Sequence, residues 1–152
     1  MNDDIPLATG LYISGPVGCG KTFLADCILK KMESVTRIRA IDLPRMYRES
    51  ESEFIQVVRN NRGPIMVDDV GCETKCSYWG SHIEVFAELI ALRAEIPAAM
   101  IMTSNLPLKH LDPKVDTIAK RYGDRIASRI GGMCWVVNVN GVDRRPEAKG
   151  KL

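Results

Sequence analysis

Short apolar runs alternate along the chain with longer stretches in which apolar residues return every three or four positions. That alternation is the pattern of a parallel sheet flanked by helices. Residues 11–14 form the first apolar run and predict a strand, and residues 22 to about 32 predict the helix after it. Residues 37–41 predict a second strand. Residues 53–60 predict a helix, with Phe54, Val57 and Val58 on one side. Arg62-Gly63-Pro64 marks a turn, and residues 65–69 then read as a buried strand ending in two carboxylates. Residues 81–94 predict the strongest helix, with Ile83, Phe86, Ala87, Ile90 and Ala91 on one face and Pro97 as its stop. Residues 99–103 predict another buried strand, which ends in Ser104-Asn105. A charged helical segment covers roughly 115–130, residues 134–139 form the last strand, and Asn140-Gly141 is a turn signal. The basic residues 144–152 are expected to be loose. The expected fold is α/β, with a five-stranded parallel sheet between helices.

Composition narrows this to one soluble domain. The chain has 152 residues, 45% hydrophobic and 26% charged, which fits a globular protein and excludes a disordered one. No apolar run reaches the length of a membrane helix, so no membrane partner is expected. The start, Met1-Asn2-Asp3-Asp4, lacks the positive charge and apolar core of a signal peptide, and the expected compartment is the cytoplasm. Five cysteines, an odd number, scattered through an α/β pattern read as free thiols in a reducing compartment. Cys72 and Cys76, with His82 nearby, read either as part of a zinc site or as a loop with small thiols; no second pair stands at finger-like spacing. Charge is uneven: residues 109–152 hold ten Lys/Arg and five Asp/Glu (+5), and residues 1–108 hold eleven and fourteen (−3). A basic C-terminal third can meet a phosphate backbone, serve a nucleotide site or form a subunit contact.

The strongest chemical signal is Gly15-Pro16-Val17-Gly18-Cys19-Gly20-Lys21-Thr22, lying between the first strand and the first helix. Its spacing is that of the phosphate loop, GxxxxGK[ST]. A triphosphate carries several negative charges that must be held in one orientation. Backbone N–H groups of the loop do this, and glycines let the backbone reach the ligand through dihedrals a side chain would block. The helix beginning near Lys21 adds the positive end of its dipole. Lys21 is expected to reach the β- and γ-phosphates, and the Thr22 hydroxyl to ligate Mg²⁺. The expected ATP contacts are Gly15, Pro16, Val17, Gly18, Cys19, Gly20, Lys21, Thr22 and the adjoining Phe23. Cys19 reads as a small spacer whose side chain points away from the ligand.

An apolar strand ending in Asp68-Asp69 fits the Walker B role, in which one acid orders the magnesium shell and the next orients or deprotonates the attacking water. Asp68 is assigned to the metal and Asp69 to the water. Asn105 follows the strand 99–103, whose end lies beside the phosphates in a sheet of this class. Its amide could bond both the γ-phosphate and the lytic water; the other reading is a helix cap or Asx-turn before Leu106-Pro107. Arg125 and Arg129 are four apart and share a helix face. They could stabilise the charge on a transferring phosphoryl group, or form a surface helix paired to Asp124 or Asp116.

Taken together, GPVGCGKT, IMVDDVG, MIMTSNL and RYGDRIASRI resemble the AAA+ ATPase domain of the DnaC/IstB family of helicase loaders and transposase-helper ATPases. The resemblance runs from about Leu11 to Arg145, closing on Asp143-Arg144-Arg145. It implies a three-layer P-loop NTPase fold without a helical lid, a core over residues 1–145 and a basic tail over 146–152. It implies Asn105 in the sensor-1 position, Arg129 as an arginine finger and Arg125 as its neighbour at the interface. Such a finger acts on the nucleotide of an adjacent copy, so the resemblance implies self-association as a ring, spiral or filament. Single-stranded DNA and a replicative helicase or transposase are the implied partners, and DNA replication the implied process. One departure stands out: loaders of this family carry a helicase-gripping segment ahead of the phosphate loop, whereas here the loop begins at Gly15, and the two Walker motifs lie close together. The expectation is an isolated ATPase domain or a trimmed phage or mobile-element form, with the ATPase role carried over more firmly than the choice of partner. Three other readings compete. They are a superfamily 3 type viral helicase core, a small-molecule P-loop kinase, for which no lid segment is visible between Asp69 and Asn105, and a nucleotide-dependent interaction module that does not hydrolyse.

Overall fold

The computed structural model describes residues 10–74, 76–78 and 81–143. The expected loose tail at 144–152, and with it Arg144 and Arg145, lies outside the described residues. The elements run β1 (Gly10–Ser14), α1 (Lys21–Leu29), β2 (Thr36–Arg39), α2 (Leu43–Glu49), α3 (Glu51–Asn60) and β3 (Ile65–Val70). Then follow β4 (Cys76–Tyr78), β5 (Ser81–Ile83), α4 (Val85–Arg93), β6 (Met100–Ser104), α5 (Ile118–Tyr122), α6 (Asp124–Met133) and β7 (Cys134–Asn138).

Five strands form one parallel sheet, as the hydrophobic pattern predicts, and their order is β2-β3-β6-β1-β7. β3, β6 and β1 fill the middle, and β6 is buried at every position. That is the signature of a sheet covered on both faces. Alternate residues along the central strands feed two cores. Tyr12, Val67 and Met102 pack with Leu43, Phe54, Phe86 and Ile130 from α2, α3, α4 and α6. Ile13, Met66 and Ile101 pack with Ala25 and Leu29 of α1. The result is three layers, and every strand of the sheet points its C-terminal end toward the same edge.

Local pattern and structure part company in several places. The helix expected over 81–94 covers only Val85–Arg93; its first residues form β5, which pairs antiparallel with β4 through Cys76↔Ile83 and Tyr78↔Ser81. Helical spacing of Ile83 and Phe86 is compatible with both forms, and pairing to a strand earlier in the chain decides between them. This hairpin lies between Asp69 and Asn105, where the sequence shows no lid segment. The segment 115–130 is two helices, broken at Gly123 with φ 93° and ψ 156°. That backbone region is open essentially to glycine alone. The first helix ends at Leu29 instead of near 32, and the second strand ends at Arg39, where a 3-10 turn (Ala40–Asp42) leads into α2. Helix α2 is unexpected from the pattern, but Pro44 sits in its first turn, where a missing N–H costs nothing.

One buried charge organises the far end of the sheet. Arg93, at the end of α4, is fully buried and donates to the carbonyls of Asn61 (2.6 Å), Gly63 (3.2 Å) and Ala99 (3.2 Å). It ties the turn before β3 to the residue before β6, and burial holds its pKa below the usual guanidinium value. Truncating it removes the side-chain donor from three part-buried carbonyls, of which that of Ala99 keeps the Ile65 N–H. Arg93→Ala is therefore expected to lower the unfolding free energy by about 2–4 kcal/mol, read from urea unfolding followed by far-UV circular dichroism.

Candidate active site

The site lies where β1, β3 and β6 end side by side. The end of β1 is fixed on both flanks: Gly15 N–H donates to the Ser104 carbonyl of β6 (3.2 Å), and Val139 N–H to the Ser14 carbonyl (2.7 Å). The Ser14 hydroxyl also donates to Asn138 Oδ1 (2.5 Å). The phosphate loop thus leaves a clamped strand. At Gly15, an added Cβ would fall 2.2 Å from the Val139 carbonyl oxygen, so only glycine fits beneath the segment that follows β7. The loop then enters α1 through Gly20 in the left-handed region (φ 96°), with no side chain capping the helix and no acid in its first turn. The first N–H groups of α1 keep their capacity for an anionic acceptor.

Lys21 is buried, 6% exposed, and its ammonium donates to the carbonyls of Gly15 (2.9 Å) and Pro16 (2.8 Å) and to Asn105 Oδ1 (2.7 Å). All three partners are neutral. The charge is hydrogen-bonded but not neutralised, which leaves a positive centre at the floor of the loop.

The two acids reach the site through a bulge. From Val67↔Met102 to Val70↔Ser104, β3 advances three residues while β6 advances two. Asp68 and Asp69 therefore face the single residue Thr103. Asp69 takes a left-handed backbone conformation (φ 56°). In a regular strand adjacent side chains point to opposite faces; the extra residue re-aims one of them. Asp68 Oδ1 accepts from Thr22 Oγ1 (2.9 Å) and from Thr103 Oγ1 (2.5 Å), and Thr103 Oγ1 in turn accepts from the Asp69 N–H (2.9 Å). Asp69 is exposed and faces an open cleft of about 290 Å³. Val17, Gly18, Gly20, Lys21, Thr22 and Phe23 of the loop region line that cleft, with Cys72 and Asn105. A hydroxyl and a carboxylate oxygen beside the cleft are hard donors of the kind Mg²⁺ takes together with phosphate oxygens. The residues present fit that ion.

The remaining candidates fall in different places. Gly15 and Pro16 turn their carbonyls to Lys21, and Cys19 is buried, with its sulfur toward Gly15. Phe23 is 73% exposed at the cleft rim. Arg125 and Arg129 do not line this cleft; they stand on α6, Arg125 exposed and Arg129 half-buried, and neither forms an ion pair among the described residues. Asp124 pairs instead with Lys109 (3.3 Å). The thiols of Cys72 and Cys76 part company: Cys76 is buried and donates to the Pro44 carbonyl, while Cys72 is exposed at the cleft. Burial, then Asp69 and Glu73, push the Cys72 thiol above its ordinary pKa. His82's side chain is outside the described residues, and among those described no three potential ligands cluster for a metal. Sequence reasoning missed Thr103. Its signal was a polar pair, Thr103-Ser104, closing an otherwise apolar and wholly buried strand, since such groups need partners.

Comparison with known proteins places this geometry. The sequence matches the model of the ATPase family associated with various cellular activities (AAA) over residues 11–128. The crystal structure of the DnaC helicase loader matches with a TM-score of 0.64 at 25% identity, over 91% of this chain and 82% of that one. The DnaI structure matches with a TM-score of 0.64 at 25% identity, over 90% and 73%. A putative primosome component from Streptococcus pyogenes serotype M3, 21% identical with a TM-score of 0.62 over 90% and 71%, shares the fold. Among curated proteins no sequence matches. No helix of the described residues is long and apolar enough to cross a membrane. With a family match over most of its length, a parallel sheet in this order and a phosphate loop at its edge, the chain belongs to the AAA ATPase family, as a DnaC/IstB-like AAA+ domain of nucleotide-binding fold.

Proposed function

We propose that this protein binds and hydrolyses ATP as a helicase-loader-like ATPase in DNA replication, and that it assembles side by side on single-stranded DNA. The observation that carries the reading is convergence. Lys21 and Thr22 from the phosphate loop, Asp69 from β3 and Asn105 after β6 line one cleft, and Asp68 is bonded to Thr22 behind it. Likeness to the DnaC helicase loader supports the cellular role. The charge of +5 over residues 109–152 supports a polyanionic partner.

In this mechanism the uncapped first turn of α1 and the loop amides bind the β-phosphate, and Lys21 exchanges its neutral acceptors for phosphate oxygens. Thr22 and Asp68 would hold Mg²⁺, and the ion would offset the negative charge of the phosphates. Asp69 accepts a proton from the attacking water, and Asn105 orients that water against the γ-phosphate. The attack breaks the bond from the γ-phosphorus to the β–γ bridging oxygen and releases ADP and phosphate. Among the described residues no arginine lines the cleft, while Arg125 and Arg129 stand unpaired on α6. That disposition favours delivery of Arg129, flanked by Arg125, to the nucleotide of a neighbouring copy.

Three substitutions separate these roles. Lys21→Ala is expected to abolish ATP binding, measured by fluorescence anisotropy of a labelled analogue. Arg129→Ala is expected to keep binding while losing about 10³-fold or more in turnover, as for other arginine fingers. Turnover equal to the parent protein's would remove Arg129 from the mechanism. Asp69→Asn preserves a residue that tolerates the left-handed backbone but deletes the base. It is expected to keep ATP affinity and lose about 10²–10⁴-fold in kcat. The assembly itself is checked by measuring molecular mass and ATPase rate together, with and without ATP and a single-stranded oligonucleotide. Mass and rate that stay flat under all conditions would contradict it.

A further inference from the structure

A buried carboxylate outside the cleft joins the acid-bearing strand to the arginine-bearing helix. Glu73 lies in the loop after β3 and is only 3% exposed. Burial of a carboxylate is costly unless its oxygens are matched by donors, and here both oxygens are. Its Oε2 accepts from the Gly71 N–H (2.9 Å), and its Oε1 accepts from the phenol of Tyr122. The turn that Glu73 closes is the one that leaves Asp69, where the Cys72 N–H donates to the Asp69 carbonyl (3.1 Å). From the other side, Arg121 donates through Nη2 to the Glu73 main-chain carbonyl (2.5 Å) and through Nε to the Tyr122 hydroxyl (3.0 Å). Tyr122 is anchored in the core against Phe86, ring centroids 5.0 Å apart.

The far end of this network is the root of α6. Tyr122 is the last residue of α5, Gly123 turns the chain, and Arg125 and Arg129 follow on the next helix. Gly123 has no neighbour within 4 Å of an added Cβ, so packing at that point does not fix the angle between the two helices. The hydrogen bonds of Tyr122 and Arg121 fix the end of α5 to the loop after β3, and α6 leaves from that end with Ile126, Ala127 and Ile130 seated in the core. The turn after Asp69 is thus joined to the root of α6 through Glu73, Tyr122 and Gly123.

We infer that Glu73 and Tyr122 form a positioning latch that holds the aim of the arginines on α6 against the turn that follows the protein's own acids. The inference rests on the proposed ATPase reading and adds a link within one copy: the turn beside a copy's cleft holds the arginines by which that copy serves its neighbour. Neither residue lines the cleft; both act through α6.

Tyr122→Phe removes the hydroxyl and keeps the ring against Phe86, and Glu73→Gln removes the charge and keeps the shape. Both are expected to bind labelled ATP as the parent does and to lose at least about tenfold in kcat of the assembled protein, the scale of a misplaced catalytic group. Mixing experiments then locate the defect. Lys21→Ala copies have an intact finger and no ATP; Arg129→Ala copies hold ATP and have no finger. If the latch acts on the finger, Tyr122→Phe mixed with Lys21→Ala hydrolyses faster than the sum of the separate proteins. The same variant mixed with Arg129→Ala does not. The reverse pattern, or a Tyr122→Phe protein with parental kcat, overturns the latch. A mixture of Lys21→Ala and Arg129→Ala that fails to regain activity overturns the finger reading itself, and the latch with it.

Discussion

Much of this molecule hangs on one carboxylate oxygen. Asp68 Oδ1 takes hydrogen bonds from Thr22, the second residue of α1, and from Thr103, next to last in β6. One atom thereby joins a helix and two strands that are far apart in sequence. Charge-assisted hydrogen bonds of this kind are roughly twice as strong as neutral ones, and they lose little to solvent in a half-buried position. The arrangement sets the height of the phosphate loop over the sheet edge. It also presents a hydroxyl and a carboxylate oxygen together, which is what a hard divalent cation needs.

The second constraint is the bulge that brings Asp69 round beside Asp68. A continuous strand would place one acid in the α1 layer and the other in the opposite layer, and the pair would have no common function. The left-handed conformation at Asp69 is an unfavourable backbone state for a non-glycine residue, on the order of 1–3 kcal/mol. Thr103 stabilises it by accepting the Asp69 N–H. Opposite these acids, Lys21 holds a positive charge against neutral acceptors only. The cleft thus sets a positive charge on one side against carboxylate oxygens on the other.

A third relation connects this edge to the helices beneath it. Glu73, Tyr122 and Arg121 carry the loop after β3 onto α5, and α5 leads directly to the arginines of α6. The acids and the arginines serve different nucleotides in the proposed assembly, yet they are mechanically adjacent in one copy. The packing of Tyr122 on Phe86 makes that adjacency part of the larger of the two cores.

What the sequence by itself determined was whatever depends on near neighbours. Glycine spacing, an apolar strand before it and a helix after it identify the loop, because the ligand is bound by consecutive backbone groups. The central strands β1, β3 and β6 were legible for the same reason: buried strands are short apolar runs. Asp68, Asp69 and Asn105 were legible because strand ends in a parallel sheet share an edge. Strand order, the bulge, the β4–β5 hairpin, and the roles of Thr103 and Glu73 in holding the site were decided only by tertiary structure. Each depends on a partner more than thirty residues away, or on a pairing that competes with a helical pattern of equal local merit. Hydrogen bonding across the fold chose among them, since a buried polar group must find its partner wherever the chain brings one.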